Sequence, residues 1–176
     1  IRLLTDDNGL HISQRNITVS TCGIVPRMYD LAQEHLQITL AISLHASNQQ
    51  KREQLMPIAR KYSLDELMKA CRNYFEKTGR RLTFEYSLVG GENDSQEDAE
   101  ELAHLIKGLN CHVNLIPVNP IKERSYVQSD KKVIANFQNK LEKYQINVTI
   151  RREMGRDMDG ACGQLRKRYL DKREDS

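Results

Sequence analysis

Hydrophobic residues in this chain follow two alternating rhythms. Short runs rich in β-branched residues recur at 17–22, 38–45, 82–89, 112–117 and 147–151. Each has strand length and most end at glycine, proline or polar residues, so five β-strands are predicted. Between them the apolar spacing changes to three and four. Leu64, Leu67, Met68, Cys71 and Phe75 make one stripe; Ala99, Leu102, Ala103, Ile106 and Leu109 make a second; Val133, Ile134, Phe137 and Leu141 make a third. These are the buried faces of amphipathic helices. Ser63 with Glu66 reads as a capping box, and Ser95 and Ser129 read as the caps of the next two helices. A short helix is expected from Pro26 to about Gln33, and a basic one over 162–176. The polar stretch 1–16, with its turn at Asp6-Asp7-Asn8-Gly9, reads as a connector.

Strands alternating with helices mean βα units and a mostly parallel sheet. The apolar start of the second strand predicts burial on both faces there. Five strands are too few for an eight-stranded barrel. The expected fold is α/β: an open sheet, or a partial (β/α) barrel whose N-terminal strands lie elsewhere. The 176 residues suit one domain, and no low-complexity linker divides them. The chain starts at Ile1, in sequence that already reads as folded, which suggests part of a larger protein. No apolar run approaches the length of a membrane span, and no signal-peptide pattern is visible.

Charge adds an asymmetry. Residues 121–176 carry 14 Lys and Arg against 9 Asp and Glu, a net of +5, whereas residues 1–120 carry 13 against 15, a net of −2. A basic last third suits either a polyanionic partner or a solvated surface. The four cysteines, Cys22, Cys71, Cys111 and Cys162, are too far apart to form a close-spaced metal pair. With so few of them, a reducing cytoplasm is the expected setting.

Ligands of parallel α/β folds bind at the carboxyl ends of the strands. Ser20 and Thr21, Ser43 and His45, and Asn119 occupy such ends and can bind hydroxyl, amine or carboxylate groups. Each can equally cap a following helix. Cys162 lies between Gly160, Ala161 and Gly163, where little bulk surrounds the sulfur. By itself it reads as a small buried cysteine. A Cys–His nucleophilic pair with His45 is conceivable, though nothing in the sequence brings the two together. No glycine-rich phosphate loop and no paired-histidine metal motif occurs.

Four segments together carry a resemblance: Ile17-Thr18-Val19-Ser20-Thr21 with Gly23, Val25 and Pro26; Leu40-Ala41-Ile42-Ser43-Leu44-His45-Ala46; Asn114 to Pro120; and Asp159-Gly160-Ala161-Cys162-Gly163-Gln164-Leu165. From about Leu10 to Leu165 the chain resembles the radical S-adenosylmethionine (SAM) RNA methyltransferases of the RlmN/Cfr family. The resemblance implies a cytoplasmic enzyme, built on a partial barrel of six βα units, that methylates C2 of an adenosine in large-subunit ribosomal RNA and, in some members, in tRNA. It implies a SAM site lined by Ser20, Ser43, Leu44, His45 and Asn119. Cys162 would be the methyl-carrying cysteine, released at the end through a transient disulfide. A 4Fe-4S cluster and an electron donor such as flavodoxin belong to the same implication. Arg151, Arg152, Arg166, Lys167 and Arg168 are candidate RNA contacts from their charge.

The sequence departs from that pattern where it matters for activity. No Cys-x-x-x-Cys-x-x-Cys triplet is present, so no metal ligand is assigned in this chain and the cluster ligands are expected upstream of Ile1. The Gly-Glu segment of the SAM site is also missing, and Arg156 and Met158 stand where an acid and an isoleucine are expected. The expectation is the C-terminal part of a methyltransferase core, inactive alone. The alternatives are a C8-specific antibiotic-resistance relative, a catalytically dead RNA-binding module, and an unrelated barrel enzyme acting on a small metabolite with a structural Cys162.

Overall fold

The structure is a computed structural model and describes residues 1–118 and 126–151. In chain order it contains α1 (Arg2–Thr5), β1 (Thr18–Thr21), α2 (Val25–Gln33), β2 (Thr39–Ser43), α3 (Gln49–Leu55), α4 (Leu64–Thr78), β3 (Leu82–Leu88), α5 (Gln96–Leu105), β4 (Cys111–Pro117), α6 (Lys131–Lys143) and β5 (Asn147–Ile150). Short 3₁₀ turns lie at Gln14–Asn16 and Pro57–Arg60. All five expected strands are present, with ends within two residues of those expected.

The sheet is wholly parallel, in the order β1-β2-β3-β4-β5. Each strand therefore pairs with its successor in sequence. Right-handed crossovers then send every connecting helix to the same side of the sheet. One continuous core results. Leu40 and Ile42 of β2, Leu82, Phe84 and Tyr86 of β3, and Val113 and Leu115 of β4 pack against α2, α4, α5 and α6. Tyr86 and Phe137 meet in this layer with ring centroids 5.3 Å apart. Tyr74 of α4 is fully buried and its hydroxyl donates to the Ile38 carbonyl at 3.2 Å, tying the helix to the start of β2.

The capping chemistry of α4 and α5 is as expected: Ser63 with Glu66 and Ser95 with Asp98 each form a complete capping box. Three details differ. The cap of α6 is Asp130, which accepts from Lys132 N–H, rather than Ser129, whose hydroxyl is buried. Asp outranks Ser here because its position matches the first helical N–H groups. The connector 1–16 contains α1 and a 3₁₀ turn, with Ile12 N–H bonded back to the Leu4 carbonyl. Helix α3 was not expected, since Gln49–Leu55 carries no apolar stripe. The expected C-terminal helix over 162–176 lies outside the described residues.

Candidate cofactor-binding rim

The side of the sheet away from the helices carries a different chemistry. Strand alternation sends every second residue there, and the register aligns these residues in rows. One row runs Ser20, Ala41, Thr83, His112, Asn147; the next, toward the carboxyl ends, runs Ser43, Glu85, Asn114, Thr149. Apart from Ala41, every member is polar and partly or fully exposed. His112 Nε2 lies 2.8 Å from Thr149 Oγ1, which in turn donates to Asn114 Oδ1 at 3.4 Å. Such an inward polar face beside an outward helical layer is the geometry of a barrel wall.

At the carboxyl ends of β1 and β2 the chain is held from below. Arg52 of α3 is 0% exposed and donates through Nη2 to the Cys22 carbonyl at 2.9 Å and to the Ser43 carbonyl at 3.4 Å. Its Nε and Nη1 are buried without a hydrogen-bond partner. Burial lowers its pKa from the ordinary arginine value. Gly23 makes room for this guanidinium. At its φ of +98° a Cβ would stand 3.0 Å from Leu67 Cδ1 and 3.2 Å from Arg52 Nη2, so only glycine fits without strain.

His45 sits just beyond β2 with a left-handed φ of +58°. Its own N–H and that of Leu44 both donate to the Glu85 carbonyl, at 3.2 and 3.0 Å. Its ring Nδ1 accepts from Ser87 N–H at 3.0 Å. An accepting Nδ1 carries no proton, so the neutral ring bears its hydrogen on Nε2. Burial, and then the nearby Arg52 charge, lower its pKa to about 4. The imidazole is therefore neutral at physiological pH and presents one N–H donor.

The expected site residues divide three ways. Ser20 and Ser43 lie on the open face of β1 and β2 in successive rows, and His45 follows β2 by two residues. Leu44 is fully buried and points into the core, so it can offer a ligand only backbone. Arg151 is exposed at the end of β5, where its N–H donates to the Leu115 carbonyl at 2.8 Å. Asn119, Arg152, Cys162, Arg166, Lys167 and Arg168 lie outside the described residues, and with them the Cys162–His45 pairing. The sequence reading did not single out Arg52, Glu85, Ser87 or Asn93. Glu85 and Ser87 had a signal: they alternate with the core residues of β3 and so fall on the open face. Cys71 is fully buried and its thiol is pushed up to about 12 by that burial, which suits the core role its stripe predicted.

A parallel wall with helices on one side and a polar face on the other defines a (β/α)-barrel-type fold. The family model described as the radical SAM superfamily matches residues 1–106. The chain belongs to the radical SAM superfamily. Over its full 176 residues it is 64% identical to a protein named probable dual-specificity RNA methyltransferase RlmN from Lachnospira eligens, covering 50% of that protein. A protein of the same name from Lachnoclostridium phytofermentans is 62% identical over 172 residues, 98% of this chain and 48% of the relative. The crystal structure of a radical SAM methyltransferase from Sphaerobacter thermophilus superposes with a TM-score of 0.87 at 47% identity, covering 93% of this chain and 48% of that one. The chain thus spans about half the length of the curated relatives it matches.

The residues present fit the two groups that this superfamily implies unequally. Polar side chains on the open rows, with the Ser20 and Ser43 hydroxyls and the His45 donor, suit the hydroxyl, amine and carboxylate groups of SAM. A 4Fe-4S cluster does not fit this chain's own cysteines. Cys22, Cys71, Cys111 and Cys162 offer no closely spaced triplet, and no group of metal-ligating side chains occurs among the described residues. Among the described residues no helix is long and apolar enough to cross a membrane.

Proposed function

We propose that this chain is the C-terminal part, residues 1–176, of the catalytic core of a cytoplasmic RNA methyltransferase that modifies C2 of an adenosine in ribosomal RNA, with tRNA as a further substrate. What supports the reading is the similarity of the chain, along its whole length, to proteins named as RNA methyltransferases, together with the polar open face that carries Ser20 and Ser43 and the His45 that follows β2. SAM supplies the methyl group and, with a cluster held by residues outside this sequence, the radical chemistry. Ser20, Ser43, His45, Asn119 and the Leu44 backbone hold SAM. Cys162, set among small residues, carries the methyl group to the base. Arg151, Arg152, Arg166, Lys167 and Arg168 take RNA phosphates, as cationic side chains at an RNA interface do. Flavodoxin or a similar donor supplies electrons. The 176 residues alone lack cluster ligands and are inactive.

The test is made on the longer protein that contains this sequence. Anaerobically prepared enzyme is expected to methylate adenosine in large-subunit ribosomal RNA and in tRNA, with mass spectrometry of the nucleosides placing the methyl group on C2. The Cys162→Ala variant is expected to lose all methylation while still binding SAM. Methylation that survives in Cys162→Ala removes the assigned role. A methyl group on C8 replaces the C2 reading.

A further inference from the structure

Asn93 is buried in the turn between β3 and α5, 0% exposed, and every polar atom of its side chain is used. Its Nδ2 donates to the His45 carbonyl at 2.7 Å and to the Ser87 carbonyl at 2.7 Å. Its Oδ1 accepts from Val89 N–H at 2.8 Å. Its own carbonyl accepts from the Tyr86 hydroxyl at 2.9 Å. The two residues it bridges are themselves joined, since Ser87 N–H donates to His45 Nδ1.

We infer that Asn93 is a positioning residue of the rim: by binding the backbones of His45 and Ser87 at once, it holds the imidazole with Nδ1 occupied and Nε2–H left as the donor for the ligand. This role rests on the SAM reading of the rim and deepens it. Nothing but an amide satisfies the geometry. Two donors and one acceptor are needed within a closed space. A carboxylate has no donor, a hydroxyl has one, and Gln is a methylene too long for a fully buried site. The strained left-handed backbone of His45 needs such support, because a β-carbon residue adopts it at a cost that its surroundings must offset. His45 Nε2 has no protein partner among the described residues, so the donor that this arrangement preserves is free for a ligand acceptor.

The experiment uses the longer protein and SAM itself. Asn93→Asp keeps the shape and the acceptor but replaces both donors with a charge facing two carbonyls. SAM affinity, measured by equilibrium dialysis, is expected to fall about tenfold or more, the scale of losing buried hydrogen bonds. The ¹⁵N shifts of the His45 ring are expected to lose the pattern of a single Nε2–H tautomer. Ile134→Ala on α6, a core change remote from the rim, serves as the control: it lowers the melting temperature but leaves SAM affinity and the His45 signature unchanged. If Asn93→Asp does not fold, Tyr86→Phe removes the hydroxyl bond to the Asn93 carbonyl, along with the hydroxyl's contact to Ser47, and is expected to weaken SAM about threefold. Wild-type affinity in the variant that folds overturns the inference, as does a loss no greater than in a control of equal stability. If wild-type protein fails to bind SAM at all, the reading of the rim falls and takes this role with it. Tight wild-type binding with an indifferent Asn93 variant removes the role alone.

Discussion

At the scale of single residues, His45 shows how a fold sets a side chain's chemistry. Its pKa is lowered to about 4 while the unfolded value is near 6.5. Between those values the unfolded chain binds the extra proton and the folded chain does not. Stability is therefore full above about pH 6.5 and is lost as pH falls toward about 4. The melting temperature is expected to decline through that window, and His45→Gln, which cannot titrate, is expected to flatten the decline. Identical pH profiles for the two proteins would contradict the assignment. The strand-end placement of Ser20, Ser43 and His45 was legible because each is a polar residue at the end of an apolar strand. Asn93 was not, since an asparagine after two glycines looks like ordinary turn chemistry, and only the closed structure reveals its four partners. Arg52 was hidden for the opposite reason. Charged residues are expected outside, and its burial is a product of how α3 lies beneath β1 and β2.

At the scale of elements, strands and helices with strong periodicity were readable and the unstriped one was not. Helix α3 has the sequence Gln-Gln-Lys-Arg-Glu-Gln-Leu, polar all round, and its main buried side chain is Arg52. Its signal was Asn48, whose side chain accepts from Lys51 N–H at 3.0 Å. Helix α5 depends on its cap in a way that reaches further. Asp98, 1% exposed, accepts from the Ser95 hydroxyl at 2.7 Å, the Ser47 hydroxyl at 3.1 Å and the Lys51 ammonium at 2.7 Å. One carboxylate thus joins α5 to the segment after β2 and to α3. Asp98→Asn turns an amide donor toward these donors and is expected to cost about 2 kcal/mol, combining a lost capping box with a broken buried pair. Urea unfolding would measure it, and a change below about 0.5 kcal/mol, ordinary for a surface substitution, would show the network to be idle.

At the scale of the whole molecule, the alternation of periods was enough to foresee a parallel α/β wall. The one-sidedness of its helices was not stated by the sequence. It comes from the monotonic strand order, which only pairing reveals. The same wall holds a polar face but no cysteine triplet. The 176 residues, incubated anaerobically with iron and sulfide, are accordingly expected to remain without the broad visible absorbance of a 4Fe-4S cluster, and the longer protein is expected to acquire it. A stoichiometric cluster on the short chain would overturn that division of labour. The strand order has one more consequence, for the time course of folding. Because each strand's neighbour is the strand synthesised just before it, a nascent chain can add one βα unit after another to an existing edge. Among the described strands none waits for a partner beyond the next βα unit, so each pairing closes one unit of chain, as from Ser20 to Ala41 or from Leu40 to Leu82, and the sheet can grow in the order of synthesis.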